Sequence, residues 1–276
     1  MKLSLSVRVA EKFLAKREAN MTLQQLASLA AQYGYDALCM RASQVGVHSS
    51  PEAVVGARIL LAKHGLPISM LTGDFAIPEN NDDEGPRALR NITPYLDLAE
   101  QLGASLLRIC IKTDEDLEWT RRACDEAAER GMRLAHQCHT RSLFEEIDRT
   151  LATIASIARP NFGLIYEPAN LDLCGQDYGP DTIHRFAPHI FNVYLQNHVI
   201  DPDGDSALET WCRGEVRFRQ VPIWTDQGID FAPIITALSD LGYRGHITIH
   251  QASADLGTET AVATSARYLR SLGVSD

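Results

Sequence analysis

The feature that most constrains the fold is an alternation of short apolar runs with longer amphipathic runs, which repeats eight times along the 276 residues. The short runs are typical of buried strands and the longer runs of helices. Several helical runs end at a glycine that opens the next strand, the usual place for a helix-ending glycine: Gly34, Gly65, Gly103, Gly131 and Gly242. Because no shift in composition divides the chain, the pattern predicts an α/β fold, a single-domain (β/α)8 TIM barrel over residues 1–276. A doubly wound open sheet is the alternative.

The boundaries of the eight units can be predicted from the same pattern. The predicted strands cover residues 3–9, 37–41, 68–72, 105–112, 132–138, 163–167, 190–196 and 246–250. The predicted helices cover residues 23–33, 51–64, 86–102, 115–130, 143–158, 180–186, 231–241 and 258–272. Two connections after the strands are long, at about 73–85 and 198–228. Long connections at that end of a barrel commonly form lids or substrate walls.

Composition and charge exclude several classes of protein. The net charge of −10 argues against a nucleic-acid partner. No charged-then-apolar leader and no apolar run of about 18 residues is visible, so we expect no membrane partner. The six cysteines form no CxxC pair, which favours free thiols in a cytoplasmic protein. No nucleotide cofactor is expected.

Polar side chains gather at the C-terminal ends of the predicted strands. Period-two alternation along each strand separates residues that face the helices from residues that face the barrel interior. The last inward position of each strand is polar in six cases: Arg41, Lys112, Gln137, Glu167, Tyr194 or Gln196, and His250. Barrel interiors pack branched apolar residues, and barrel enzymes carry their chemistry at the C-terminal ends of the strands. We therefore predict a functional site there.

Four cations are also predicted to face the interior of this acidic chain: Arg8, Arg41, Arg108 and Lys112. Two interpretations remain open. The cations could form internal ion pairs with groups such as Glu167. Alternatively, they could neutralise an anionic substrate or stabilise an enediolate-like transition state.

Several segments resemble the sugar isomerase/epimerase group of the xylose-isomerase-like barrels. The similar segments are residues 131–139, 163–170, 191–197, 221–223 together with 228–231, and 242–250. In that group the strands carry a Glu, Asp, His, Glu set of metal ligands. The corresponding positions here are Gln137, Glu167, Tyr194 and His250, and the histidine that follows the Asp by three residues is replaced by Asn170. The paired glutamates that move a proton in the family are therefore not kept.

The resemblance makes a divalent metal (Mn, Zn, Mg or Co) a candidate cofactor. The ligands would be Gln137, Glu167, His250 and His198, the last replacing the lost histidine. The alternative is a metal-free site in which Lys112 and Arg41 supply the positive charge.

The function expected from the resemblance is that of a sugar or sugar-acid isomerase or epimerase acting through an enediolate at a carbonyl compound. A related lyase or decarboxylase, a barrel that only binds a sugar-like ligand, and an endonuclease-like barrel are the alternatives. The expected catalytic residues are Glu167, His250, Lys112 and Tyr194. The expected substrate-binding residues are Arg41, His48, Arg108, Gln196 and Trp224. Trp211 and Trp224, on a long loop, also suggest a homodimer.

Overall fold

The computed structural model describes residues 1–12, 15–72, 84–252 and 256–274. Eight parallel strands close into a barrel in the order β1-β13-β9-β8-β7-β6-β5-β4. Closure comes from β1, which pairs with β13 on one side and with β4 on the other. The barrel strands are β1 Lys2–Ser6, β4 Ala37–Met40, β5 Ile68–Leu71, β6 Leu106–Arg108, β7 Arg133–Gln137, β8 Phe162–Tyr166, β9 Ile190–Leu195 and β13 His246–Ile249. The predicted (β/α)8 barrel is confirmed.

Ten α-helices accompany these strands in the described part of the chain. They are α1 Leu23–Gln32, α2 Pro51–Lys63, α3 Glu84–Arg90, α4 Thr93–Leu102, α5 Asp116–Glu129, α6 Ile147–Ile157, α7 Pro168–Leu173, α8 Pro180–Phe186, α9 Phe231–Asp240 and α10 Thr258–Ser271. Side chains cap several N-termini: Thr22 and Gln25 form a capping box on α1, and Ser50 caps α2, where Pro51 follows. None of these described helices is long and apolar enough to cross a bilayer.

Two separate apolar clusters show which strand faces are inside the barrel. The large cluster lies between strands and helices, and includes Leu3, Leu107 and Ile247. A small cluster fills the barrel interior and consists of Cys39, Met70, Leu106, Ala135, Ile165 and Tyr194. The inward directions predicted for Ala135, Ile165 and Tyr194 agree with this division. Side chains two residues apart share a face of a strand. The residues two positions later, such as Gln137 after Ala135 and Glu167 after Ile165, therefore also face inward and lie nearer the barrel mouth.

Several predicted boundaries differ from the structure. The helix expected over 86–102 is two helices, because Pro94 lacks the N–H that a continuous helix would bond four residues back. The helix expected from residue 143 begins at Ile147, and the short helix α7 was not predicted. The first strand ends at Ser6, and the chain continues into a 3-10 turn, Val7–Ala10, and the hairpin strands β2 Glu11–Lys12 and β3 Ala15–Ala19. The long connection expected at 73–85 lies, for residues 73–83, outside the described residues.

The connection at 198–228 is not an irregular loop. It contains a three-stranded antiparallel sheet in the order β10-β12-β11, with β10 His198–Ile200, β11 Ser206–Thr210 and β12 Gly214–Gln220. Asn197 fixes the end of this insertion, since its Nδ2 donates to the carbonyl oxygens of Pro222 (3.1 Å) and Gln227 (3.0 Å). The backbone N–H of Ile229 in turn donates to Asn197 Oδ1 at 2.8 Å.

Gly228→Ala is expected to destabilise the fold more than the same change at Gly65. Both glycines have positive φ angles, of +76° and +68°, and this conformation costs an alanine about 1–2 kcal/mol. A Cβ at Gly228 would also collide with the backbone oxygen of His198 and with Asn197 Oδ1, whereas a Cβ at Gly65 would meet nothing within 4 Å. Urea unfolding of both variants measures the difference. Equal losses would show that the contact between Gly228 and His198 does not constrain the insertion.

Candidate functional site

Glu167 is the centre of a hydrogen-bonded cluster at the barrel mouth. It follows β8 directly and is fully buried. Its Oε2 accepts N–H groups from Gln137 Nε2 and from Asn170 Nδ2, the latter at 2.9 Å, and its Oε1 accepts one from Gln196 Nε2. These amides come from the end of β7, from α7 and from the residue after β9. Burial raises the pKa of Glu167, and these hydrogen bonds oppose the rise.

Two arginines bring positive charge to the same cluster. Arg8 Nη1 donates to Gln196 Oε1 at 2.9 Å, so the Gln196 amide links Arg8 to Glu167. Arg108 is buried, and its Nε has no hydrogen-bond partner among the described residues. Burial lowers the pKa of both arginines, and the charge of Arg41 adds to this effect. A buried guanidinium N–H without a partner is a costly arrangement that an anionic ligand would relieve.

The other two predicted cations are held by different contacts. Arg41 Nε lies 2.5 Å from Glu11 Oε1, and Ser43 Oγ donates to the same oxygen at 3.0 Å. Lys112 Nζ donates to the carbonyl oxygen of Arg141 at 3.0 Å. The sequence left two interpretations of the inward cations open, internal ion pairs and the binding of an anion. For Arg41 the structure shows the internal ion pair.

His250 and Tyr194 form a stacked pair beside the arginines. Their ring centroids are 3.8 Å apart with an angle of 6° between the planes. His250 Nδ1 lies 3.1 Å from Ser6 Oγ. Burial lowers the pKa of His250 well below its usual value, and Arg8, Arg41 and Arg108 lower it further. The imidazole is therefore neutral at neutral pH and able to accept a proton.

The hydroxyl of Tyr194 points into the barrel interior. It lies 3.2 Å from Cys39 Sγ and 3.1 Å from Thr72 Oγ1. Burial raises the pKa of the Tyr194 phenol well above its usual value, so the phenol keeps its proton. At the barrel mouth Tyr194 contributes the face of its ring, which stacks on the ring of His250.

Three predicted site residues lie outside this cluster. His198 Nε2 lies 2.9 Å from Asp172 Oδ2, and its ring packs against Phe218 of the inserted sheet. His48 is exposed in the segment before α2. Trp224 is half-buried and lines a small cavity with residues including Val9 and Gln251. The prediction that His198 swings in beside Glu167 does not match the contacts of this structure.

Two residues in contact with the site were not among the predicted site residues. The strand pattern predicts that Ser6 faces inward, but it does not predict the contact between Ser6 and His250. Asn170 was considered only as a replaced histidine, and its amide in fact holds Glu167. The signal for Ser6 was present in the sequence, because it ends the first strand on the inward face with Ser4.

The residues at the mouth do not fit the divalent metal that the resemblance implies. Arg8 and Arg108 place positive charge beside the Glu167 carboxylate, and this charge would repel a bound cation. Gln137 presents its amide nitrogen to Glu167, while its buried Oε1 has no partner among the described residues. His198 contacts Asp172 instead, so the expected ligands that remain are the Glu167 carboxylate, the free amide oxygen of Gln137 and the His250 imidazole. This is a poor set for a hard cation, which prefers several oxygen ligands.

A cavity of about 400 Å³ lies at the opposite end of the barrel, near Phe162 and Phe191 at the starts of β8 and β9. It does not touch the polar cluster. Because barrel enzymes carry their chemistry at the C-terminal ends of the strands, the polar cluster is the better candidate site.

Most of the chain matches the model of a known protein family. The model of the family described as xylose isomerase-like TIM barrel matches residues 27–272. This chain belongs to that family. A search of curated protein sequences gave no match.

Solved structures of several other proteins share the fold. The probable 3-DHS dehydratase AsbF from Bacillus anthracis is 16% identical, with a TM-score of 0.72, covering 98% of this chain and 99% of that one. D-allulose 3-epimerase from Methylomonas sp. is 14% identical, with a TM-score of 0.68 and coverages of 99% and 98%. A xylose isomerase-like TIM barrel protein from Mycobacterium smegmatis, solved in complex with magnesium, is 17% identical, with a TM-score of 0.67 and coverages of 98% and 97%. At these identities the likeness shows the fold alone.

Proposed function

We propose that this protein is an enzyme that moves a proton at a carbon beside the carbonyl group of an anionic, sugar-like substrate. The observation that carries the proposal is that a neutral His250 and a buried Glu167 share the same two neighbouring cations. Arg8 and Arg108 both contribute to the pKa of Glu167 and to the pKa of His250. Two groups that can each carry a proton, with fixed positive charge near both, are what an enolisation needs.

Each group has a role that follows from its environment. Neutral His250 would take or return the proton, and Glu167, whose pKa burial raises, would serve as its acid or base partner. The guanidinium of Arg108, with its partnerless Nε, would bind the substrate anion or the enediolate oxygen. Gln137, Asn170 and Gln196 would hold the Glu167 carboxylate in place.

The structural neighbours support this class of chemistry. They include sugar 3-epimerases and a probable dehydratase. Epimerisation, isomerisation and dehydration can all begin by removing a proton beside a carbonyl group. We propose an epimerase or isomerase reaction first and a lyase reaction second. A cytoplasmic location and a homodimer stay predictions.

Deuterium exchange tests the proposal across a panel of compounds, so that no single substrate has to be chosen. The protein is incubated in D2O with matched pairs of ketoses and sugar acids, and NMR follows the loss of each C–H signal beside a carbonyl group. We expect exchange with an acidic member of the panel. Glu167→Gln and His250→Phe should each slow it by about 10²-fold or more, whereas Glu118→Gln, at an exposed position, should leave it unchanged. Equal exchange in the wild type and in both site variants would contradict the proposal.

A second candidate function is a barrel that binds a sugar-like anion without turning it over. The observation in its favour is the hydrogen bonding of Glu167, because three amide donors occupy its oxygens. Saturation-transfer NMR on the same panel distinguishes the two functions. Binding that Arg108→Met abolishes, without exchange in any panel member, would favour the binding protein.

A further inference from the structure

A second cluster of chemically reactive side chains lies away from Glu167 and His250. It consists of Glu145, Cys174 and Cys212, whose ligand atoms all lie within 4.8 Å of one another. Glu145 belongs to the connection between β7 and α6, Cys174 follows the end of α7, and Cys212 lies in the turn between β11 and β12. Three separate segments thus bring two thiols and a carboxylate to one point.

The carboxylate of Glu145 is buried and is held by backbone groups. It is 3% exposed and accepts the backbone N–H groups of Arg141, Trp211 and Cys212. Among the ion pairs of the described residues, no cationic side chain is paired with Glu145. The backbone N–H groups carry no net charge, so a cation bound beside Glu145 would not compete with a cationic side chain.

The two thiols differ in access to solvent. Cys174 is 2% exposed, whereas Cys212 is exposed and its Sγ donates to the carbonyl oxygen of Cys174 at 3.3 Å. Burial raises the pKa of both thiols, and the nearby charge of Glu145 raises them further. A thiophilic cation reverses this balance, because it binds the thiolate and drives off the proton.

We propose that Glu145, Cys174 and Cys212 form a binding site for a thiophilic divalent cation of the zinc class. Two S–H bonds break, two metal–sulfur bonds form, and both protons go to solvent. Zinc–sulfur bonds of about 2.3 Å and zinc–oxygen bonds of about 2.1 Å place ligand atoms roughly 3.5 Å apart. The three side chains would therefore draw together on binding, and Glu145 would exchange one of its backbone hydrogen bonds for the cation. The exposed side of Cys212 leaves the fourth position to water.

Such a site would fasten the inserted sheet to the barrel. Cys212 lies in the β11–β12 turn, and Cys174 ends the helix α7 that supplies Asn170 to Glu167. A cation would join these two elements to the connection that carries Glu145. This inference does not depend on the proposed function, since it involves none of the residues proposed to bind or transform substrate.

Cobalt(II) is the probe that tests the site. Protein first treated with a chelator is titrated with cobalt(II), and the thiolate-to-cobalt absorption in the near ultraviolet is recorded. We expect one cobalt per chain with that absorption, an affinity at least tenfold weaker in Cys212→Ser, and a rise in Tm with zinc that Cys212→Ser lacks. Cys212 is exposed, so this variant should fold.

Two controls separate this site from other binding. Glu167→Gln should keep the thiolate absorption, since Glu167 is not one of the three proposed ligands. Glu215→Gln, at an exposed acid of β12, should also keep it. Absence of the absorption in the wild type, or an unchanged titration in Cys212→Ser, would overturn the proposal. So would peptide mapping that finds a Cys174–Cys212 disulfide formed by hydrogen peroxide in a protein that binds no cobalt.

Discussion

Acidification is expected to destabilise this protein steeply below pH 6.5, because the fold holds three histidines in neutral form, two of them buried and one half-buried. Burial lowers the pKa of His136 to about 3 from 6.5, with Arg108 as the second cause. Burial also lowers the pKa of His139 and of His250 well below the usual value. As pH falls, the unfolded chain binds these protons before the folded chain does, so stability is lost. Each such proton costs about 1.4 kcal/mol per pH unit.

One buried acid opposes this trend. The pKa of Glu167 is raised by burial, so the folded state takes up this proton at a higher pH than the unfolded state. Its contribution to stability therefore grows on acidification. A single group offsets only part of the effect of three histidines, and the net slope stays positive with pH.

His136→Phe is the sharpest test of this pH dependence. The His136 ring stacks on Phe144 at 4.1 Å with 12° between the planes, and its Nε2 has no partner among the described residues. Phenylalanine keeps the stacking and cannot bind a proton. Urea unfolding should show no difference in slope above about pH 7 and, between about pH 6 and about pH 5, a slope smaller by about 1.4 kcal/mol per pH unit in the variant. The control is His184→Gln at an exposed position of α8, and an unchanged slope in His136→Phe would refute the account.

Breaking the ion pair between Glu11 and Arg41 is expected to cost about 3–5 kcal/mol. The two side chains are 7% and 10% exposed, and their atoms lie 2.5 Å apart. Glu11→Gln leaves the Arg41 guanidinium buried without its counter-charge, next to Arg8 and Arg108. Arg41→Met removes the cation in contact with Glu11 and leaves the more distant charge of Arg8 near this buried carboxylate. Urea unfolding of both single variants measures the loss.

The double variant Glu11→Gln/Arg41→Met shows whether each single variant loses stability because one buried charge is left without its partner. Removing both charges should restore most of the stability that either single variant loses, because neither charge is then left unpaired. Glu118→Gln, which breaks an exposed pair with Arg122 at 3.2 Å, should produce no measurable change. Additive losses in the double variant would show that Glu11 and Arg41 do not stabilise each other.

The barrel and the direction of its inner side chains were predictable from the sequence. Eight apolar runs, several of them preceded by a glycine, define parallel strands, and period two then directs Gln137, Glu167 and His250 toward the mouth. What a strand pattern cannot give is the partner of each side chain. Arg41 pairs with Glu11 of a hairpin that the sequence did not reveal, and His198 contacts Asp172 on an unpredicted helix.

The inserted sheet and the cysteine cluster escaped prediction for physical reasons. Strands β11 and β12 are largely exposed, so their apolar residues, such as Val216 and Phe218, are too few to signal a buried strand. Helix α7 has six residues and begins at Pro168, directly after Glu167. Residues on three different connections, such as Glu145 and Cys212, carry no common spacing and meet only after folding.

The closely spaced ends of the inserted segment, where Gly228 packs against His198, affect how the sequence of this barrel can change in evolution. The chain leaves β9 near Asn197 and, after its excursion, comes back to the same asparagine through Gln227 and Ile229. An insertion whose two ends lie side by side can change in length and sequence without moving the barrel strands. Residues 199–227 can thus be replaced as one unit while the barrel strands and the polar cluster keep their places.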